Sequence, residues 1–208
     1  MPQLVLGTKN PDKLREIKIL LRDSSFKVFS LNEFCKCPDV VENGRTFEAN
    51  ARKKARFYSQ FTQSLALADD SGLVVPYLNG RPGVYSARFA GSGCSYRDNN
   101  KKLLHLMMNA KGISRQAKFV CVMALYDRGK LVKTLRGECR GKISFEARGK
   151  NGFGYDPVFI PKGFSKTFSE LSLKTKNKIS HRGKALRLAK KLLLSKFGRL
   201  ECSGNFVL

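Results

Sequence analysis

The stretch LALADDSGL, Leu65 to Leu73, sets two carboxylates side by side at the end of an apolar run. Acids are scarce in this chain, with 16 Asp+Glu against 40 Lys+Arg. On an extended strand Asp69 and Asp70 point to opposite faces, so they cannot grip one metal ion as neighbouring side chains. One is expected to face a cleft and the other to serve structure by accepting backbone N–H bonds. Open α/β sheets hold ligands at the carboxyl ends of their strands. Carboxylate oxygens, together with substrate phosphates, suit hard cations such as Mg²⁺. An Asx-type turn at Asp70-Ser71-Gly72 is the plainer alternative.

Four more constellations could carry chemistry. Gly7-Thr8-Lys9-Asn10-Pro11-Asp12-Lys13 joins a short apolar strand to a helix start, with Asn10 as N-cap and Pro11 at the first helical position. The free N–H groups and the dipole there favour an anion. Lys13 falls in the first turn, where a cation is disfavoured by about 0.3–1 kcal/mol, so an anion nearby would explain it. A capped helix with a solvent lysine gives the same pattern, and without GxxxxGK[ST] this is not a P-loop. Asn50 and Lys54 are four apart and share a helix face, where Lys54 either meets the site or snorkels past Phe47 and Tyr58. Gly152-Phe153-Gly154-Tyr155-Asp156-Pro157 is either an ordinary aromatic turn or a flat platform whose acid reads the N–H edge of a base. Ser180 caps a helix from whose first turn His181 and Arg182 project. They are poorly placed there unless they meet an electronegative group such as a base carbonyl, although a lone histidine is usually structural.

These groups need a scaffold. Leu4 to Gly7 reads as a strand and turn, and Leu14, Ile17, Leu20 and Leu21 recur at helical spacing. Lys27 to Ser30 reads as a strand, and Asn32 to Arg45 as a loop. Thr46 opens a helix striped by Phe47, Ala51, Ala55 and Tyr58. Leu65 to Ala68 is a strand ended by a Ser71-Gly72 turn, and Asn79-Gly80 carries a hairpin signal. Arg81 to Gly93 is irregular, Asp98 to Met108 helical. Lys118 to Tyr126 and Lys130 to Leu135 pair around Asp127-Arg128-Gly129, with Glu138 to Phe145 as the next strand. Ser180 to Phe197 is a long helix stopped by Gly198. Hairpin signals argue against a purely parallel sheet, and helices at both ends against all-β. The class is α/β with a mixed sheet, in one domain over residues 1–208, with the tail after about 199 weakly determined.

The formal charge is +24, which favours polyanionic partners. The six cysteines form no CxxC pair and only two histidines exist, which argues against zinc and for free thiols in a reducing compartment. No apolar run approaches a membrane span, and the N-terminus lacks a signal-peptide pattern. The expectation is a cytoplasmic, soluble chain.

TKNPDK (8–13), TFEANARKKA (46–55), LADDSGL (67–73), GRPGVYSARFAG (80–91), GFGYDPVF (152–159) and ISHRGKAL (179–186) together resemble the inosine/xanthosine triphosphate pyrophosphatase family. The resemblance implies hydrolysis of ITP, dITP and XTP to monophosphate and pyrophosphate, with Mg²⁺, a homodimer, and a long mixed sheet whose two lobes flank a cleft. It implies that Thr8, Lys9, Asn10, Pro11, Asp12 and Lys13 form the triphosphate loop, with Lys54 beside it as a catalytic residue together with Asp70. Asp70 would accept the proton of the attacking water and bind metal, and Ser71 would touch substrate. Phe153 would stack on the base, with Gly154, Tyr155 and Asp156 completing the pocket. Lys176, His181 and Arg182 would contact the nucleotide, the last two near O6.

The chain departs from the family pattern in places. Two consecutive acids usual before the Thr46 helix are Val41-Glu42 here, so Glu42 is the remaining second metal candidate. Ala49 follows Glu48 where a second acid is common, and Lys9 replaces a small residue. Two other readings stand beside this one: a related house-cleaning pyrophosphatase with another base preference, such as modified pyrimidines, and a basic nucleic-acid-binding protein. The second is not favoured, because no zinc finger, RNP motif or aromatic-basic interleaving is present.

Overall fold

The computed structural model describes residues 2–22 and 24–198. The sequence expectations for the tail, and Cys202, lie outside the described residues. Six strands form one sheet: β1 (Gln3–Leu6), β2 (Lys27–Ser30), β3 (Leu65–Val74), β4 (Gln116–Asp127), β5 (Lys130–Ile143) and β6 (Phe159–Pro161), in the order β2-β1-β3-β4-β5-β6. β1 runs parallel to β2 and β3, and the remaining pairings are antiparallel. The helices are α1 (Pro11–Leu21), α2 (Phe47–Phe61), α3 (Tyr96–Leu106), α4 (Leu173–Ile179) and α5 (His181–Phe197). The α/β class and the mixed sheet are as the sequence implies.

Alternation along β3 and β4 builds two faces. Leu65, Leu67, Cys121, Met123 and Leu125 pack with Ile17 and Leu21 of α1 and with Ala185, Leu186 and Ala189 of α5. Ala68, Val120, Val122 and Ala124 pack on the other face with Ala51 and Ala55 of α2. Small residues on both sides let α2 lie close to the sheet. The far ends of β3, β4 and β5 enter a separate core around Leu73, Phe119, Ile143, Phe159 and Phe168, which belongs to the second lobe. The central strands thus span both lobes, and the cleft opens where β3 passes between them.

Several boundaries differ from the sequence reading. Ser71-Gly72 makes no turn, because β3 continues through it to Val74. Gly72 is there for close approach: a Cβ would strike Gly83 O and Ser86 Oγ, on the 3-10 segment Gly83–Arg88 that closes over the strand. Lys130 to Leu135 and Glu138 to Phe145 are one strand, β5, in which Gly137 leaves room for the backbone of His181. Asn79 and Gly80 both hold positive φ, yet their turn supports only a single Val74–Pro82 bridge. α3 begins and ends two residues earlier than read, and α4 and β6 were not anticipated. The Asp127-Arg128-Gly129 hairpin stands, with Arg128 and Gly129 at positive φ.

Candidate active site

β3 decides which way each acid faces. Asp69 continues the series of Leu65 and Leu67 toward α1 and α5, and Asp70 that of Ala66 and Ala68 toward α2. The sequence reading of opposite faces holds. Asp69 Oδ2 meets Lys13 Nζ at 3.0 Å and Arg182 Nε at 3.6 Å, and accepts from Ser71 Oγ at 3.2 Å. Burial alone would raise its pKa, but the charges of Lys13, Arg182 and Lys54 hold its carboxyl well below the usual range. Its role is structural as expected, but through cationic side chains rather than backbone N–H groups. The first-turn placement of Lys13 is answered by this internal anion.

Asp70 has a different environment. Its Oδ2 accepts from Asn50 Nδ2 at 2.9 Å and its Oδ1 from the Ser71 N–H at 2.9 Å. Among the described residues no lysine or arginine nitrogen forms an ion pair with it. Burial pushes its carboxyl up, and the Lys54 charge and the Asn50 hydrogen bond offset only part of that. Lys54 pairs with Glu42 Oε1 at 3.0 Å and lines the cleft, so it does not snorkel. Glu42 sits on a loop fixed by Asn50 Oδ1, which accepts from the Gly44 N–H at 2.7 Å, and by Arg88 of the second lobe, which donates to Glu42 O at 3.2 Å. Val41 is 70% exposed, so Glu42 and not Val41 lines the cleft. Lys9 pairs with Asp39 at 2.8 Å and donates to Cys37 O at 3.2 Å.

The other end of the cleft is an aromatic platform over buried charge. Gly152 and Gly154 hold positive φ on either side of Phe153, a turn that L side chains rarely adopt. Lys176 Nζ lies 4.7 Å and the Arg182 guanidinium 5.4 Å from the Phe153 ring centre. Glu16 of α1 holds both cations: it pairs with Lys176 at 2.7 Å through Oε1 and with Arg182 through Oε2. Burial would raise the pKa of Glu16, but these two charges lower it overall. Arg182 also donates to Ser71 Oγ at 3.0 Å.

Three further predicted contacts, Asp156, Tyr155 and His181, are buried at the cleft wall. Asp156 is 2% exposed, and its Oδ2 accepts from Lys176 and, at 2.9 Å, from the Phe153 N–H. It therefore anchors the platform through Oδ2, and it also lines the cleft. Tyr155 is buried and donates its hydroxyl to Ser86 O at 2.9 Å, which pins the platform to the Gly83–Arg88 segment. His181 is buried flat against Phe119, with centroids 4.5 Å apart at 7°. Burial and the neighbouring Arg182 and Lys176 charges push its pKa well below the usual value, so it is neutral, and its Nδ1 has no partner among the described residues.

These residues line one cavity of about 480 Å³ that takes in Thr8, Lys9, Asn10, Lys13, Glu42, Lys54, Asp70, Ser71, Phe153, Gly154, Tyr155, Asp156, Lys176, His181 and Arg182. Pro11 and Asp12 do not line it. Pro11 occupies the first helical position, and the Asp12 N–H donates to Asn10 Oδ1 at 3.0 Å, so both serve the start of α1. Asp12 instead borders a smaller cavity behind Phe153. Sequence reasoning missed Glu16, Ser86, Arg88 and Tyr96. Glu16 left a trace three residues after Lys13 on the same side of a helix, and Ser86 and Arg88 lie within the GRPGVYSARFAG stretch.

The arrangement has three lysines, Lys9, Lys13 and Lys54, lining one cavity, with a carboxylate, Asp70, that makes no ion pair among the described residues and a ring flanked by donors. Comparison with known proteins agrees with it. The Ham1 family model matches residues 4–192. A dITP/XTP pyrophosphatase of Desulforamulus reducens is 47% identical over 191 residues, covering 92% of this chain and 95% of that protein. One from Geobacter sulfurreducens is 47% identical over 190 residues, covering 91% and 96%. The structure of a HAM1 protein from Coxiella burnetii superposes with a TM-score of 0.85 at 41% identity, covering 94% of this chain and all of that one. The Staphylococcus aureus Ham1 protein gives 0.83 at 37% identity, covering 93% and 98%. The chain belongs to the Ham1 family.

Proposed function

We propose that this chain is a nucleoside triphosphate pyrophosphatase, a hydrolase that cuts dITP, ITP and XTP between the α- and β-phosphates to give the monophosphate and pyrophosphate. The names of its dITP/XTP pyrophosphatase relatives support the reaction class. The observation that carries the site assignment is the contrast between the two aspartates. Asp69 is locked into charge pairs, whereas Asp70 is held only by neutral donors, with its pKa raised, at the cleft wall. A carboxylate so placed accepts a proton from an attacking water. Lys13, Lys54 and Lys9 meet the triphosphate from the first lobe. The base lies on Phe153, where Lys176 and Arg182 favour a 6-oxo purine. An adenine amino group would set a donor against these donors and leave buried groups unpaired.

The donor set suits Mg²⁺. Asp70 and Glu42 supply two hard carboxylates to the cavity that Lys13 and Lys54 also line. That is the donor pattern of an ion carried largely by substrate phosphates. When bound, the metal neutralises charge on the polyphosphate. Asp70 and Glu42 would hold it, and Asn50 fixes the orientation of Asp70 whether or not metal is present.

We read the active form as a homodimer. Met108, Ile113 and Phe145 are exposed apolar groups on segments that Arg115 ties together through Met107 O, Ala110 O and Ser144 O. No helix among the described residues is long and apolar enough to cross a membrane. Cys35, Cys37, Cys94, Cys121 and Cys139 are free, which supports a reducing cytoplasmic setting.

The test is incubation with ITP, dITP, XTP, ATP and GTP in the presence of Mg²⁺, with products separated by ion chromatography. The expected result is pyrophosphate plus monophosphate, with ITP, dITP and XTP well ahead of ATP. Orthophosphate without pyrophosphate, or equal turnover of ATP, overturns the reading.

A further inference from the structure

Tyr96 opens α3 in the second lobe, yet its hydroxyl accepts a hydrogen bond at 3.2 Å from Asn10 Nδ2 of the first lobe. The orientation of Asn10 is fixed by capping: its Oδ1 accepts from the Asp12 and Lys13 N–H groups at 3.0 and 3.1 Å. The amide nitrogen is therefore the end left to face Tyr96. Having accepted from Asn10, the Tyr96 hydroxyl keeps its own proton for another acceptor. Its ring centroid lies 6.0 Å from that of Phe153, tilted by 44°. The residue is 41% exposed and lines the cleft. The start of α3 does not depend on its side chain, because Ser95 and Asp98 already form a capping box.

Tyr96 thus spans the gap between the phosphate loop and the base platform, with an apolar face and one free donor. In a nucleotide, the part between base and polyphosphate is the sugar. We propose that Tyr96 is a substrate-positioning residue for the sugar: its ring walls the sugar and its hydroxyl donates to a sugar oxygen. The proposal rests on the nucleotide reading above. The Asn10–Tyr96 bond joins the two lobes, so a nucleotide held there engages the phosphate loop and the platform together.

Steady-state kinetics of wild type, Tyr96→Phe and Tyr96→Ala with ITP and dITP test this, with inorganic tripolyphosphate as competitive inhibitor. Loss of one hydrogen bond raises KM about three- to tenfold in Tyr96→Phe, and more in Tyr96→Ala, with kcat within about twofold. The inhibition constant of tripolyphosphate, which has no sugar, stays unchanged. A rise for ITP but not dITP assigns the acceptor to the 2′-hydroxyl, and an equal rise assigns it to a shared sugar oxygen; both support the proposal. Unchanged KM for both nucleotides in both variants, or an equal weakening of tripolyphosphate, overturns it. Wild-type enzyme that cleaves neither nucleotide instead overturns the reaction assigned above.

Discussion

Asp69 and Asp70 are consecutive in β3, yet Asp69 meets Lys13 at 3.0 Å on one face of the sheet while Asp70 meets Asn50 at 2.9 Å on the other. The two-residue period of a strand divides one acidic pair between two jobs. One carboxylate balances buried cations, and the other faces the cleft without an ion pair. Replacement of either by asparagine should therefore fail in a different way.

Asp70→Asn removes the proton acceptor and no ion pair. Turnover of ITP should fall by about 10²–10⁴, the usual worth of a positioned general base. The melting temperature should stay close to that of wild type. Pyrophosphate release and a thermal melt on the same preparation check both halves, and a folded variant with full turnover removes Asp70 from the chemistry.

Asp69→Asn leaves Lys13 without its counter-charge and Arg182 with Glu16 alone. Breaking a buried pair of this kind costs about 3–5 kcal/mol. The folded-state pKa of Asp69 is depressed, so its contribution to stability is present above the unfolded value and is lost as pH falls through the folded one. Glu16 acts in the same direction. Wild type should lose melting temperature progressively below about pH 4, where an unfolded Asp or Glu begins to bind protons. Asp69→Asn should start lower and lose less over that range in a series of thermal melts.

The faces of Asp69 and Asp70, the cap at Asn10 and the Gly152–Gly154 platform were legible in the sequence because each follows from local geometry. The partners were not. Arg182 reaches Asp69 from α5, and Glu16 joins Lys176 to Arg182 from α1, contacts that only the assembled fold brings about. The glycines misled for a related reason. Gly72 and Gly137 sit inside strands where another backbone closes in, and a single sequence cannot tell that from a turn. α4 escaped notice because LKTKNKI is too short and too polar to show a helical period. Lys176, which that helix positions, entered through the family resemblance and not through any local signal.

Lys54 sets the acidic limb of activity through Asp70. Burial raises the Asp70 pKa and the Lys54 charge pulls it part of the way back. Catalysis needs ionised Asp70, so kcat/KM should fall as pH drops through a value above the ordinary Asp pKa of about 3.9. Lys54→Met removes the offsetting charge and should move that limb to higher pH, besides weakening triphosphate binding. A pH profile of kcat/KM for both proteins checks the direction, and a limb that moves to lower pH contradicts the assignment.

The excess of basic residues should be visible in the salt dependence of substrate capture. The chain carries +24, and the buried acids Glu16, Asp69, Asp70 and Asp156 are matched by the buried cations Lys54, Arg115, Lys176 and Arg182, so the excess stays on the surface. A field of this sign draws a polyphosphate toward the cleft, and exposed charges are screened over a Debye length of roughly 8 Å at physiological salt. The buried pairs inside the cleft are screened far less. Raising KCl from about 0.02 to about 0.2 M should therefore lower kcat/KM for ITP by about tenfold while kcat changes little. Equal losses in kcat would place the salt effect on the buried network, and no loss in either would mean that the surface charge plays no part in capturing the nucleotide.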